Sequence, residues 1–121
     1  MGRIKNFAVT EKPWGKELLV EKTDKYVFKE ILMLKGTRCS LQSHRLKCET
    51  VYIEAGSVEL EIAGPDGSSA FDTFGPGEAY TIQAGTIHRV KVLEDSRLFE
   101  VSTPELDDVI RHKDDYHRAE K

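Results

Sequence analysis

Val58-Glu59-Leu60-Glu61-Ile62 alternates apolar with acidic residues, the two-residue period of a strand with one face buried and the other in water. Tyr26 to Leu34 is rich in β-branched and aromatic side chains and predicts another strand. Further strands fit Ala70 to Phe74, Ala79 to Gln83, His88 to Leu93 and Arg97 to Ser102. Between them, Gly64-Pro65-Asp66-Gly67-Ser68 has the composition of a turn, and Gly75-Pro76-Gly77 breaks the chain again. Short strands with frequent turns predict an all-β sandwich or barrel. The pattern weakens in the charged tail from Pro104 to Lys121, where the expectation is a loop or one short helix around Glu105 to Arg111. No repeat or linker divides the 121 residues, which read as a single domain, 1–121, with a core over about 12–103.

Charge narrows the function classes. With 18 basic and 21 acidic residues and a net charge of −3, the chain lacks the basic excess of a nucleic-acid binder, although a local cationic pocket could still hold a small anion. Met1 to Val9 has no apolar run of signal-peptide length and no stretch approaches a membrane span, so a cytoplasmic location without membrane partners is the expectation. Cys39 and Cys48 are too few for a disulfide framework. Cys48 directly precedes Glu49 and on an extended chain points to the opposite face, so both cysteines read as free, partly buried thiols and not as ligands.

The candidate chemistry lies in Gln42-Ser43-His44, Glu49 and His88, four side chains able to share one divalent metal. Residues two apart on a strand share a face, which groups Arg38, Ser40, Gln42 and His44. By the same parity Glu49 falls with Val51 and Ile53, and His88 with Val90 and Val92, so both stand on apolar, inward-looking faces. A carboxylate and imidazoles in a barrel interior are costly unless they pair or bind metal. The competing readings are an ion pair of Glu49 with a histidine, and scattered polar residues at a barrel mouth.

The spacing resembles the two cupin motifs. Gly36, Gln42, His44, Glu49 and Gly56 stand in the register of Gly-x5-His-x-His-x4-Glu-x6-Gly, with Gln42 in place of the first histidine. Gly77, Gly85 and His88 match the second motif, where Gln83 and Val92 replace its usual proline and asparagine. A narrower resemblance, from Lys12 to Arg118, is to the isomerase domain of type II mannose-6-phosphate isomerases. Lys12-Pro13-Trp14-Gly15, Arg38-Cys39-Ser40-Leu41-Gln42-Ser43-His44, Ala84-Gly85-Thr86-Ile87-His88-Arg89 and Asp107-Asp108-Val109-Ile110-Arg111 are similar to that family's segments. Arg45-Leu46-Lys47-Cys48 departs from the family's usual His-His-Arg-Ala between the ligands, which bears on the substrate more than on the metal.

The resemblance implies a small double-stranded β-helix, a jelly-roll-like cupin barrel, in which Gln42, His44, Glu49 and His88 bind one divalent metal. Zinc is the first choice, with manganese, iron, cobalt or nickel as alternatives. It further implies interconversion of mannose 6-phosphate and fructose 6-phosphate through a cis-enediolate. Lys29, which matches a family lysine, Arg38 and Arg89 are the candidates for anchoring the sugar phosphate. Two other readings are a non-catalytic metal-containing sugar- or metabolite-binding cupin and, less favoured because Gln42 replaces a histidine, an iron-dependent dioxygenase. Sheet edges that need covering suggest a homodimer, paired through the amino-terminal strand. Trp14 is expected to be a packing anchor, Glu59 and Glu61 a solvated face, and His112 and His117 exposed tail residues.

Overall fold

The computed structural model describes residues 2–105 and 107–113, and among these all regular structure is strand. The strands are β1 (Ala8–Lys12), β2 (Gly15–Lys22), β3 (Val27–Met33), β4 (Leu41–Ser43), β5 (Glu49–Ala63), β6 (Ser69–Phe74), β7 (Ala79–Ile82), β8 (His88–Ser102) and β9 (Ile110–Lys113). All pairings are antiparallel.

Two long strands organise the barrel. Along Ser96 to Ser102, β8 pairs with β3 on one side and with the first half of β5 on the other. Along His88 to Val92 it pairs with the second half of β5, while His88 reaches Gln42 of β4. Strands β1 and β2 extend the first half beyond β3, and β7 extends it beyond β5; β9 extends the other half beyond β4, and β6 extends it beyond β5. Between Ile53 and Val58 the β5–β8 register shifts repeatedly, and the paired strands turn from one half into the other. Gly56 makes the turn possible: its φ is 93°, and a Cβ there would stand 2.4 Å from the Asp95 carbonyl oxygen.

The alternation in the sequence sets the interior. Val51, Ile53, Val58, Leu60, Val90, Val92 and Leu98 are buried, with Ile31 and Met33 of β3, Ile82 of β7 and Trp14. Pro13 and Trp14 form the turn between β1 and β2, and Gly15 then lies against β3, where a Cβ would fall 2.0 Å from the Leu32 carbonyl oxygen. Lys12-Pro13-Trp14-Gly15 is therefore a turn that inserts the indole into the barrel.

Two expectations are corrected. No helix forms within Glu105 to Arg111: among the described residues this stretch is irregular and enters β9, which pairs with β4. Asp108 explains the outcome, because its side chain serves as acceptor for a distant loop and competes with helical hydrogen bonding. The stretches His88 to Leu93 and Arg97 to Ser102 are one continuous strand that bends without breaking. His117 lies outside the described residues. No helix of the described chain is long and apolar enough to cross a membrane.

Candidate metal centre

The inward parity of β5 and β8 brings Glu49 and His88 together, and the loop after β4 adds His44. All three are buried, at 7, 3 and 4 % exposure. His44 Nε2 lies 3.4 Å and His88 Nε2 3.5 Å from Glu49 Oε1. One ligand atom from each of the three side chains lies within 4.8 Å of the others. Gln42 stands beside His88 in register and lines the same cavity. Its Oε1 accepts from Ser40 Oγ at 3.1 Å, which leaves the amide oxygen a second lone pair.

The outer hydrogen bonds fix the chemistry of the imidazoles. His44 Nδ1 is 2.5 Å from the Asp108 carbonyl oxygen and His88 Nδ1 is 2.9 Å from that of Thr86. A carbonyl only accepts, so each Nδ1 donates and each neutral ring keeps a lone pair on Nε2. Three acceptors then converge without a donor among them, and His44 Nε2 is a buried nitrogen with no hydrogen-bond partner. A divalent cation satisfies all three. Neither cysteine joins the group: Cys48 Sγ contacts Gln83 Oε1 at 3.7 Å, and Cys39 lies in the cavity wall.

A buried charge network adjoins the triad. Lys47 Nζ is 3.7 Å from Glu49 Oε2 and 3.5 Å from Glu100 Oε2. Burial raises the Glu49 carboxyl, but a hydrogen bond from Glu100 and the Lys47 ammonium hold Glu49 well below the usual carboxylate range. Burial, reinforced by the Glu49 charge, pushes Glu100 well up. The proton of this pair therefore resides on Glu100, and Glu49 is the ionised member. Burial also works against the Lys47 ammonium, and a hydrogen bond to Glu100 with the nearby Glu49 and Glu17 carboxylates more than offsets it.

Asp108 ties the metal loop to the chain before β9. Its carboxylate accepts the backbone N–H groups of Arg45 at 3.0 Å, Leu46 at 2.7 Å and Lys47 at 3.0 Å, while its carbonyl orients His44. Those N–H bonds lower its carboxyl to about 2, so it stays ionised across the neutral range and the tie is insensitive to pH there. Asp108→Ala is expected to weaken metal affinity by roughly 10- to 100-fold, the usual cost of losing an outer partner. A competition titration against a chromophoric chelator measures this, and unchanged affinity would count against the assigned role.

A cavity of about 100 Å³ opens beside the triad, walled by Trp14, Ile31, Met33, Val51, Tyr80 and Leu98, with Glu100 and Lys47 on its polar side. Trp14 is thus both packing anchor and cavity wall. Burial keeps the Tyr80 phenol well above its ordinary range. Lys29 reaches the mouth, where Nζ pairs with Glu17 Oε1 at 2.9 Å. Arg38 and Arg89 are not brought there. They line a depression on the outer face with Glu59, Glu61, Phe71 and Lys91. Arg89 is buried, and it donates to the Cys39 and Lys113 carbonyls at 3.0 and 3.2 Å. The parity that grouped Arg38 with Gln42 fails because β4 spans three residues only: Arg38 forms an isolated bridge with Lys91, while Cys39 turns to the cavity. His112 is exposed, with Nε2 2.8 Å from Ser43 Oγ.

Sequence reasoning missed Lys47, Glu100 and Asp108. Glu100 was open to detection, since it shares inward parity with Leu98 and Ser102 on β8.

No family model and no curated protein sequence matches this chain. Solved structures do. Oxalate decarboxylase from Bacillus subtilis superposes with a TM-score of 0.75 at 17 % identity, over 88 % of this chain and 30 % of that one. KdgF from Halomonas sp. superposes with a TM-score of 0.74 at 20 % identity, over 88 % of this chain and 97 % of that one. The chain has the cupin fold. It spans under a third of the oxalate decarboxylase chain and nearly the whole length of KdgF, and at these identities the likeness speaks for the fold alone. Within this cupin barrel the His-Glu-His group occupies the interior as a site able to hold a metal.

Proposed function

We propose that the protein is a metal-dependent sugar-phosphate isomerase, with mannose 6-phosphate and fructose 6-phosphate as the favoured pair. The observation that carries this reading is the convergence of metal-ligand atoms beside one cavity and, in a second cavity that shares Gln42 and Lys47 with it, the cations Lys12 and Lys29. Gln42, His44, Glu49 and His88 would hold the ion, for which zinc is the first choice. A divalent metal bound there supplies Lewis-acid polarisation of a carbonyl oxygen.

The remaining roles belong to the chain. The apolar wall of Trp14, Ile31, Met33, Val51 and Leu98 excludes water from the reacting carbons. Lys29 anchors the substrate at the mouth, a role the outer-face positions of Arg38 and Arg89 do not favour. Strand β1, which among the described residues pairs only with β2, offers the edge for a homodimer.

A non-catalytic binding cupin is the second reading. It is favoured by that same apolar wall, which offers few hydrogen bonds to a hexose. A coupled assay on mannose 6-phosphate separates the two. The isomerase reading expects turnover that depends on added metal, and background rates across zinc, manganese, iron, cobalt and nickel would reject it in favour of binding alone.

A further inference from the structure

A buried ammonium stands beside the metal triad. Lys47 is 7 % exposed and lines the cavity that adjoins His88 and Glu49. A divalent ion held by the triad repels a second cation so close by, and an ammonium removed from water is costly unless paired. Its place there is therefore maintained by specific contacts, and these bear on one metal ligand.

The contacts divide the Glu49 carboxylate between two partners. Oε1 faces the imidazoles, 3.4 Å from His44 Nε2 and 3.5 Å from His88 Nε2. Oε2 is the oxygen that Lys47 approaches, 3.7 Å from Nζ. The lysine is fixed at both ends: its backbone N–H donates to Asp108 Oδ2 at 3.0 Å, and Nζ lies 3.5 Å from Glu100 Oε2. Glu100 in turn stands on β8, paired with Lys29 of β3 on one side and with Val51 of β5 on the other, so the middle of the sheet carries it. Neither anchor is a free surface group.

A carboxylate binds a divalent ion through one oxygen or through both. We infer that Lys47, held by Glu100 and Asp108, is a positioning residue that retains Glu49 Oε2 and so restricts Glu49 to the metal through Oε1 alone. The restriction keeps a coordination position available to a water or a ligand oxygen, the property that separates a reactive or ligand-binding metal from a closed structural one. The inference rests on the metal triad and is independent of the reaction proposed above.

Full-length protein loaded with manganese provides the test. Water-proton relaxation reports the exchangeable waters on the ion, and infrared difference spectra between loaded and metal-free protein separate one-oxygen from two-oxygen carboxylate binding. Lys47→Met keeps the stem and removes the charge, a change buried ion pairs often tolerate. It is expected to retain metal, lose water from the ion and shift the carboxylate stretches to the two-oxygen pattern. Lys47→Arg is expected to keep the wild-type signature, a rescue that a purely structural role does not require. Lys29→Gln, whose native ammonium pairs with Glu17 at the mouth, is expected to leave it unchanged as well. If Lys47→Met does not fold, Glu100→Gln carries the test through a partial shift in the same direction. An unshifted signature in the variant that carries the test would overturn the inference, as would a two-oxygen pattern in wild type, and either result leaves the metal site standing. Wild-type protein that binds no manganese, zinc, iron, cobalt or nickel would remove the site and the inference with it. Failure of the isomerase assay with the one-oxygen signature intact would reject the reaction alone.

Discussion

Alanine in place of His44 or His88 is expected to leave the protein without its divalent metal. Each ring is oriented by an Nδ1 bond to a backbone carbonyl, so each contributes a preset Nε2 lone pair that no neighbour can replace. The loss should exceed the roughly 10- to 100-fold attached to an outer partner, because a ligand itself is gone. Gel-filtered protein analysed for metal per chain should fall from about one equivalent to near background in either variant, as the group loses one of its three converging ligand atoms. A His44→Ala protein that kept its full metal content would remove the proposed site. Glu49→Gln should lower the content too, since it takes away the one ionised ligand while preserving shape. Cys39→Ser and Cys48→Ser should have no effect, as neither sulfur joins the triad.

Trp14→Ala is expected to destabilise the fold by about 3–5 kcal/mol, the range for deleting a large buried aromatic. The indole is 6 % exposed and packs in the same cluster as Ile31, Met33, Val51 and Leu98. The indole also walls the cavity beside the triad. Denaturant unfolding of metal-loaded wild type and variant measures the difference. A loss under about 1 kcal/mol, the level of a surface substitution, would show that the turn and not the indole secures this corner.

How far the sequence reaches is clearest in the two halves of the site. Glu49 and His88 sit on regular strands flanked by Val51, Ile53, Val90 and Val92, so a two-residue period places them inside without further information. Gln42 and His44 occupy a three-residue strand and the loop after it, where parity loses its meaning within a residue or two. Arg38 shows the consequence, since the same parity would have put it in the cavity. Motif spacing, which encodes the loop directly, singled out Gln42 and His44, and the structure brings His44 beside Glu49 and His88, and Gln42 into the adjoining cavity wall.

The outer partners were hidden for another reason. Asp108 acts on His44 across 64 positions of chain, and Lys47 finds Glu100 over a similar separation. Nothing local in a charged tail or a polar loop marks such pairings. Asp108 lies in the Asp107 to Arg111 segment, yet its function in holding Arg45 to Lys47 needed the fold. The predicted tail helix failed on the same residue: Asp108 contributes more as a loop acceptor than it would within a weakly periodic helix.

X-ray absorption at the metal edge of the purified, metal-loaded protein tests the central claim most directly. The expected spectrum has nitrogen and oxygen neighbours only, at about 2.0–2.2 Å for zinc, with outer-shell scattering from two imidazole rings. A sulfur neighbour at about 2.3 Å, or scattering from fewer than two imidazoles, would contradict the assignment of His44, Glu49 and His88 as the site.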